Sequence, residues 1–341
     1  MRVSVLGGGS FGTVIAHSAA ARGHQVRLWL RDPQQLQDMQ ESRQNRKYLP
    51  GLELHPQLQF SCDLAHCLEQ VELVFFSLPS KAVRQVAGAC RTLLPAQVML
   101  VSTTKGIEKD SFRLMSEILR EETGVARIGV LSGPNLAREI AQGVLSGTVI
   151  ASQDEALRQA VHEALVSPRL RVFANSDVYG VELGGALKNI YAVASGIAAT
   201  LAPGENARSM LLTRALAEMS RLACRMGANP LTFLGLAGVG DLIATCSSPL
   251  SRNYQVGQAL ASGQSLEAIV EELEQTAEGV NTIEQVKFKA DELKVHMPIV
   301  QGLYAFIFEH RPMPEVIARL MHAGASEDVE FSLMWRQGEG T

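Results

Sequence analysis

The sequence has few cysteines and none of the cysteine pairings that mark a zinc site. The five cysteines are Cys62, Cys67, Cys90, Cys224 and Cys246. Their odd number and wide scatter argue against a tetrahedral metal centre, which needs paired ligands at short spacing. We therefore expect buried free thiols and no bound metal.

The chain also has no excess of positive charge and no long apolar run. Lysine and arginine number 31 against 35 aspartates and glutamates, a net charge of -4. Such a chain has no broad positive field to hold nucleic acid. The uncharged run from Asn189 to Gly204 is shorter than the roughly 20 residues that span a bilayer, and Arg2 leads directly into a strand-like segment without a leader sequence. We expect no nucleic-acid partner, no membrane insertion and a cytoplasmic location.

The length favours two domains, because 341 residues exceed what one hydrophobic core usually serves. In the first half, short β-rich runs alternate with helix-period stretches, which predicts an α/β Rossmann domain, a doubly wound parallel sheet, over residues 1–176. The strand candidates are Arg2–Leu6, Gln25–Leu30, Leu73–Ser77, Val98–Ser102 and Ile128–Leu131. Ligands bind such sheets at the carboxyl ends of the strands.

The sequence pattern of the second half differs, with long stretches of helical periodicity and few strand candidates. Clear helix candidates are Val181–Leu201, Ala207–Met226 and Gly279–Leu293. We expect an all-α domain over residues 177–336, with a cleft between the two domains.

A glycine-rich segment follows the first strand and opens a helix. It reads Gly7-Gly8-Gly9-Ser10-Phe11-Gly12 and so places G-x-G-x-x-G between a strand and a helix. In this context Gly7 permits a tight turn, Gly9 lets the backbone approach a pyrophosphate, and Gly12 lets helix and strand pack closely. The helix N-terminus adds unpaired N–H donors. The motif predicts dinucleotide binding, against the alternative of a plain glycine turn in another α/β fold.

The end of the second strand bears on which nicotinamide cofactor is used. A carboxylate there binds the ribose 2′-hydroxyl of NAD(H), whereas an arginine accommodates the 2′-phosphate of NADP(H). The chain has Arg31 followed by Asp32. We favour NADP(H), with NAD(H) as the alternative if Asp32 binds the ribose, and a helix cap before Pro33 is the non-functional interpretation of Asp32.

One lysine of the second half stands among very small residues. Helical spacing groups Lys188 with Gly184, Gly185, Ala192 and Ser195. Small neighbours let a ligand approach closely, and a partly desolvated lysine transfers a proton readily near neutral pH. The alternative is a lysine that points to solvent from a helix-packing face.

A second glycine-rich segment, Gly235–Leu242, contains Asp241 and is followed by Thr245 and by Ser251-Arg252-Asn253. Arginine grips a phosphate with its planar fork, and serine and asparagine add neutral donors. This pattern predicts an anion pocket, against a flexible turn with a solvated arginine. By periodicity alone, Glu278 is predicted to be a carboxylate at the start of a helix.

Taken in order, these motifs resemble those of the bacterial NAD(P)-dependent glycerol-3-phosphate dehydrogenases, and the match spans nearly the whole chain. The segments that carry the resemblance are Gly7–Gly12, Thr104–Ile107, Ser132–Pro134, Leu187–Asn189, Gly238–Leu242 and Ser251–Asn253.

The resemblance implies reduction of dihydroxyacetone phosphate to glycerol 3-phosphate for phospholipid synthesis, with Lys188 as the proton donor and acceptor, and it suggests a homodimer. The implied cofactor-binding residues are Gly7, Gly9, Ser10, Phe11, Gly12, Arg31, Lys105, Ala137, Arg252, Thr276 and Glu278. The implied substrate-binding residues are Lys105, Gly133, Asn135, Lys188, Asp241, Ser251, Arg252 and Asn253.

The sequence departs from the family pattern at two places. Asn135 stands where serine or threonine is usual, and Asn206-Ala207-Arg208 replaces the usual Asn-Thr-Lys. Two other functions compete with the favoured one. A related two-domain dehydrogenase would act on a hydroxy acid such as ketopantoate, and a non-catalytic redox sensor would bind the nucleotide without needing Lys188.

Overall fold

The computed structural model describes residues 1–201, 204–272 and 278–322. The strands are β1 Arg2–Leu6, β2 Gln25–Trp29, β3 Gln59–Ser61, β4 Leu73–Phe76, β5 Met99–Ser102, β6 Ile128–Ser132, β7 Ser146–Ala151 and β8 Leu170–Asn175. The helices of the first half are α1 Ser10–Ala21, α2 Pro33–Ser42, α3 Leu64–Leu68, α4 Ser80–Cys90, α5 Met115–Thr123, α6 Ala137–Ala141 and α7 Glu155–Leu165.

The second half is helical in its described part. It holds α8 Val178–Thr200, α9 Gly204–Arg225, α10 Asp241–Ser247, α11 Arg252–Ala261, α12 Leu266–Glu272, α13 Glu278–Leu293, α14 Pro298–Ile307 and α15 Met313–His322. A 3₁₀ turn, Pro230–Leu234, and a π-helical turn, Leu236–Gly240, precede α10.

The strands form one sheet in the order β3-β2-β1-β4-β5-β6-β7-β8. The five strands expected from the sequence are confirmed, and each bound differs by at most one residue. The chain reverses its direction of travel across the sheet between β1 and β4, which is the switch point where such folds bind ligands. The carboxyl ends of β1, β4, β5 and β6 therefore face a common cleft.

The doubly wound, mainly parallel sheet is confirmed, with one departure next to the edge strand β8, where β7 runs antiparallel to β6 and parallel to β8. The link from β6 to β7 holds only the five-residue helix α6, which is too short to cross the sheet and return in the parallel sense. The interior strand β7 and the two edge strands, β3 and β8, were missed in the sequence. Most residues of β8 are not buried, so it lacks the apolar run of a central strand.

The central strands are buried on both faces of the sheet. Every residue of β4 and β5 is buried, and side chains alternate between two apolar clusters. Leu73 and Phe75 join one cluster, while Val74 and Phe76 join the other. This alternation explains the continuous apolar sequence of these strands, since helices cover both faces.

Helix α8 forms the centre of the helical half. All residues from Gly180 to Ile197 are buried, and α11 lies against its backbone. A Cβ at Gly196 would lie 2.0 Å from the carbonyl oxygen of Tyr254, and one at Gly257 would lie 2.1 Å from that of Val193. Glycine is therefore required at both positions, and the backbones of α8 and α11 pack directly against each other.

A buried carboxylate joins the two halves. Glu182 on α8 accepts hydrogen bonds from the backbone N–H of Ser116, at 2.9 Å, and from its hydroxyl, at 2.5 Å. The Ser116 N–H belongs to the first turn of α5, so Glu182 caps that helix from the other half. In the residues that the structure describes, no helix is both long and apolar enough to cross a membrane.

Candidate active site

The glycine-rich turn between β1 and α1 is fixed by close backbone contacts. Gly7 has φ +123°, a conformation that side chains disfavour, and its N–H donates to the carbonyl of Trp29 at 3.1 Å. A Cβ at Gly12 would lie 2.1 Å from the carbonyl oxygen of Gly7, so α1 can pack this closely only with glycine there.

The start of α1 is suited to bind an anion. No described side chain caps it, and its first turn carries no acidic residue. A Cβ at Gly9 would meet no described atom within 4 Å, which leaves open space above the helix N-terminus. Ser10 is the first helical residue and its hydroxyl donates to the carbonyl of Tyr48 at 2.6 Å, while Phe11 is half-buried against the core. Unpaired N–H groups beside open space fit a pyrophosphate.

Arg31 and Asp32 follow β2 and are both exposed. The Asp32 carboxylate accepts a hydrogen bond from the backbone N–H of Gln34 at 2.9 Å and so caps α2. The helix-cap interpretation of Asp32 is therefore observed. Arg31 lies next to it at the carboxyl end of β2, where the adenosine ribose of a dinucleotide is bound in this fold.

Two lysines from different halves of the chain meet at one carboxylate. Lys188 Nζ lies 2.5 Å from Asp241 Oδ1, and Lys105 Nζ lies 2.7 Å from Asp241 Oδ2. Lys188 also donates to the hydroxyl of Thr245 at 2.5 Å. The side chains of Lys188 and Asp241 are 6% and 2% exposed. Lys188 thus points into the cleft, and the solvent-facing alternative is excluded.

The charges in this lysine cluster are unevenly balanced, with two cations sharing one anion. Burial lowers the pKa of Lys105 to about 8, the neighbouring Asp241 carboxylate opposes that shift, and the Lys188 charge adds to it. A lysine with this pKa exchanges its proton near physiological pH. The cluster can therefore both attract an anion and supply a proton.

Backbone groups fix the position of Lys105. Its ammonium donates to the carbonyl of Gly133 at 2.8 Å, and its own carbonyl accepts from Asn189 Nδ2 at 3.1 Å. Asn189 directly follows Lys188 on α8, so the loop after β5 is bound to the helix that carries the second lysine.

The small residues near Lys188 allow close packing of α8. A Cβ at Gly184 would lie 2.7 Å from the carbonyl oxygen of Ala237, and one at Gly185 would lie 2.6 Å from Ser132 Oγ. The π-helical turn and the end of β6 therefore lie directly on this face. Both glycines allow this close packing, and Gly185 also leaves room for the side chain of Lys105.

The predicted anion pocket lies at the start of α11. Ser251 is the N-cap, and its hydroxyl accepts from the N–H of Tyr254 at 3.4 Å. Arg252 is the first helical residue. Asn253 Oδ1 accepts from the N–H of Gly279 at 3.0 Å, which leaves its Nδ2 as a donor.

Glu278 begins α13 and lies half-buried close to the loop after β4. Its Oε1 accepts from the backbone N–H of Ser80 at 2.9 Å. Burial raises the pKa of Glu278, while the positive charges of Arg252 and Lys81 act in the opposite direction. Thr276 lies outside the described residues. Ala137 begins α6 and is half-buried.

Unpaired polar atoms gather at this cleft. Among residues 1–201, 204–272 and 278–322, three buried side-chain atoms lack a hydrogen-bond partner, namely Ser132 Oγ, Asn135 Oδ1 and Glu278 Oε2. Each lies on a segment next to the lysine cluster or the glycine-rich turn. Buried polar atoms are rarely left unpaired, so these three are available to pair with a ligand bound in the cleft.

The comparisons with known proteins identify the family. A model described as NAD-dependent glycerol-3-phosphate dehydrogenase N-terminus matches residues 2–158, and the corresponding C-terminus model matches residues 177–318. The chain belongs to this dehydrogenase family.

Relatives agree with this assignment over almost the full length. The glycerol-3-phosphate dehydrogenase (NAD(P)+) of Azotobacter vinelandii is 56% identical over 329 residues, 96% of either chain. The crystal structure of glycerol-3-phosphate dehydrogenase from Coxiella burnetii has a TM-score of 0.90 at 35% identity and covers 94% of this chain and 98% of its own. A ketopantoate reductase from Ralstonia eutropha has a TM-score of 0.58 at 16% identity, over 94% of this chain and 100% of its own. That likeness is one of fold alone.

Two contacts that support the site of this glycerol-3-phosphate dehydrogenase family member were not predicted from the sequence. Asn189 and Ser80 were not selected as site residues, yet Asn189 holds the Lys105 backbone and Ser80 binds the Glu278 carboxylate. Each joins segments far apart in sequence. Asn189 lies beside Lys188 and could have been found as its neighbour, whereas nothing in the sequence singles out Ser80.

Proposed function

We propose that this chain reduces dihydroxyacetone phosphate to sn-glycerol 3-phosphate with a reduced nicotinamide dinucleotide as the hydride donor. The observation that carries the proposal is the buried cluster in which Asp241 binds both Lys188 and Lys105. A ketone that accepts hydride must also receive a proton. This cluster holds two ammonium groups in the cleft at the carboxyl ends of the strands of a dinucleotide-binding fold.

The glycine-rich turn and the uncapped start of α1 fit the pyrophosphate of the cofactor. When bound, the reduced cofactor supplies hydride to the ketone carbon of the substrate. Lys188 donates the proton to the oxygen of that carbon as negative charge develops there. Asp241 and Thr245 fix its ammonium by hydrogen bonds of 2.5 Å each. Hydride and proton together convert the ketone into the secondary alcohol, and the lysine recovers its proton from solvent.

The phosphate group is held at the start of α11. Arg252 supplies charge and a planar fork, and Ser251 and Asn253 add neutral donors. Asp241 orients both lysines, and Lys105, Gly133 and Asn135 line the cleft beside them. In this arrangement positioning supplies much of the catalysis.

We assign the cofactor contacts of the chain to three regions. Gly7, Gly9, Ser10, Phe11 and Gly12 bind the pyrophosphate, and Arg31 binds the 2′-phosphate of NADP(H), which we favour over NAD(H). Around the nicotinamide end, the assigned residues are Lys105, Ala137, Arg252, Thr276 and Glu278. Glu278 Oε2, which has no partner among the described atoms, can accept a hydrogen bond from a cofactor hydroxyl or amide.

We further propose that residues 1–176 form the dinucleotide-binding domain and residues 177–336 the catalytic domain. In the cell the reaction would run towards glycerol 3-phosphate, in the cytoplasm, and supply phospholipid synthesis. We infer a homodimer as the working form.

The test is oxidation of NADPH and of NADH by the full chain with dihydroxyacetone phosphate, beside ketopantoate as the control ketone. Turnover with the phosphate ester alone supports the proposal. Turnover with ketopantoate alone would assign the hydroxy-acid reaction instead, and nucleotide binding without any turnover would favour the sensor.

A further inference from the structure

Ser132 ends β6 with a hydroxyl that has no assigned role. The residue is 1% exposed, and its Oγ is one of the three buried side-chain atoms without a partner in the described part of the chain. Its backbone carbonyl is satisfied, since Thr148 Oγ1 donates to it at 3.0 Å. A serine hydroxyl can donate one hydrogen bond and accept others, and burying it unpaired is costly.

The hydroxyl lies within the wall of the lysine cluster. A Cβ on Gly185 would lie 2.6 Å from Ser132 Oγ and 3.5 Å from Cγ of Lys105, so the three residues meet at one point. The next residue after Ser132, Gly133, accepts the hydrogen bond of the Lys105 ammonium at 2.8 Å. Ser132 therefore directly precedes the residue that accepts the Lys105 hydrogen bond, and it contacts α8 one turn before Lys188.

The order of groups along α8 suggests what this hydroxyl binds. Ser132 meets α8 at Gly185, and Lys188 follows one turn later. Next comes Asn189, whose carbonyl lies beside Gly279 and, through it, Asn253 of the anion pocket. Four residues of helix rise about 6 Å. The wall thus presents a neutral hydroxyl, a lysine and an anion pocket in sequence, over the length of an extended three-carbon phosphate.

We propose that Ser132 Oγ hydrogen-bonds the free terminal hydroxyl of dihydroxyacetone phosphate and so determines specificity for a substrate that carries one. The inference rests on the proposed function. Charge determines where the other two groups of the substrate bind. The phosphate binds at the cationic Arg252, and the ketone oxygen binds at the proton donor Lys188. The terminal hydroxyl of dihydroxyacetone phosphate is neutral, and so is Ser132 Oγ, which lies on the side of Lys188 away from the anion pocket.

The test compares dihydroxyacetone phosphate with hydroxyacetone phosphate, which has a methyl group in place of the terminal hydroxymethyl. The wild type, Ser132→Ala and the control Ser152→Ala are assayed with both ketones. Ser152 is equally buried, but its hydroxyl donates to the carbonyl of Ile128 at 2.8 Å, at the opposite end of β6.

Ser132→Ala should lower kcat/KM for dihydroxyacetone phosphate about tenfold, the effect of one lost hydrogen bond, and leave hydroxyacetone phosphate within about twofold of the wild type. Ser152→Ala should leave kcat/KM unchanged for both ketones. If hydroxyacetone phosphate is reduced too slowly, its inhibition constant against dihydroxyacetone phosphate is compared in the same way and should be unchanged in Ser132→Ala.

Thermal unfolding without ligands gives a second readout. Ser132→Ala removes an unpaired hydroxyl and should keep or raise Tm, whereas Ser152→Ala leaves the carbonyl of Ile128 without its donor and should lower Tm. Equal losses with both ketones, or no loss with dihydroxyacetone phosphate, would overturn this inference alone. A wild type that reduces neither ketone would overturn the proposed function, and this inference with it.

Discussion

Asp241 binds two lysines that come from opposite halves of the chain, Lys188 through Oδ1 and Lys105 through Oδ2. Its side chain is 2% exposed, and each of its two oxygens pairs with one ammonium group. The loop after β5 and helix α8 are joined electrostatically at the point where we place the ketone.

Replacing Asp241 with Asn should disturb the protonation of Lys105. The Asp241 carboxylate opposes the burial that lowers the pKa of Lys105 to about 8. Without it that pKa falls further, and the cationic form is lost at lower pH. We expect the high-pH limb of kcat/KM to move down by about one to three pH units. A pH profile of Asp241→Asn beside that of Asp38→Asn, an exposed ion-pair partner of Arg46, tests this. An unshifted limb would contradict it.

Arg31→Ala should discriminate between the two cofactors. If the guanidinium binds a 2′-phosphate, its loss weakens NADPH binding by roughly 10- to 100-fold, the range for a charge-assisted hydrogen bond, and changes NADH binding little. Cofactor titration followed by fluorescence measures both constants. Arg22→Ala, an exposed arginine at the end of α1, is the control. Equal losses for NADPH and NADH would instead favour Asp32 and ribose binding.

Gly12→Ala should damage the dinucleotide site through backbone contact. The new Cβ would lie 2.1 Å from the carbonyl oxygen of Gly7, so α1 must move away from β1. We expect a lower Tm and at least about tenfold weaker cofactor binding, because a shifted helix misplaces its N–H donors. Gly88→Ala is the matched control, since its Cβ would lie 3.4 Å from Glu122 and the change favours α4. Normal cofactor affinity in Gly12→Ala would argue against the assigned loop.

The sequence was enough to predict the central strands, the glycine-rich turn and the grouping of Lys188 with small residues, because these depend on local pattern. The antiparallel strand β7, second from the edge of the sheet, was missed, since its direction depends on the short link that precedes it. The sequence singled out Asp241 and Thr245, but it could not establish that both contact Lys188. Asp241 and Thr245 reach it from α10 through tertiary packing, and Ser80 meets Glu278 across the cleft, which no spacing in one sequence reveals.

The departures from the family pattern have clear structural settings. Asn135 donates from Nδ2 to the hydroxyl of Thr148 at 3.0 Å, and its buried Oδ1 has no partner among the described residues. It therefore offers an acceptor in the cleft. Arg208 pairs with Glu205 at 2.9 Å on the first turns of α9.

Glu182→Gln should flatten the dependence of stability on pH. Burial raises the pKa of Glu182 to about 7, although both hydrogen bonds from Ser116 oppose the shift. The folded carboxyl therefore keeps its proton at a pH where the unfolded one has lost it. Its contribution to stability is full below about pH 4.5, the unfolded value, and is lost as pH rises through about 7. Glutamine does not titrate and can still pair with the Ser116 N–H and hydroxyl.

Denaturant unfolding at about pH 5 and about pH 8 measures this effect. Relative to the wild type, Glu182→Gln should gain up to about 3 kcal/mol over that interval, the free energy of a pKa change of this size. Glu53→Gln, at an exposed position, changes the same charge without burial and should show no such gain. A difference between Glu182→Gln and wild type that is the same at both pH values would contradict the assignment.

The central claim is that Lys188 donates the proton to the reduced ketone, and Lys188→Met tests it most directly. Methionine keeps the apolar stem but cannot donate. We expect kcat with dihydroxyacetone phosphate to fall by about 10²- to 10⁴-fold, the usual contribution of a positioned proton donor. The Kd for NADPH should stay within about twofold, because the glycine-rich turn is untouched. Near-normal turnover by Lys188→Met with intact cofactor binding would contradict the account.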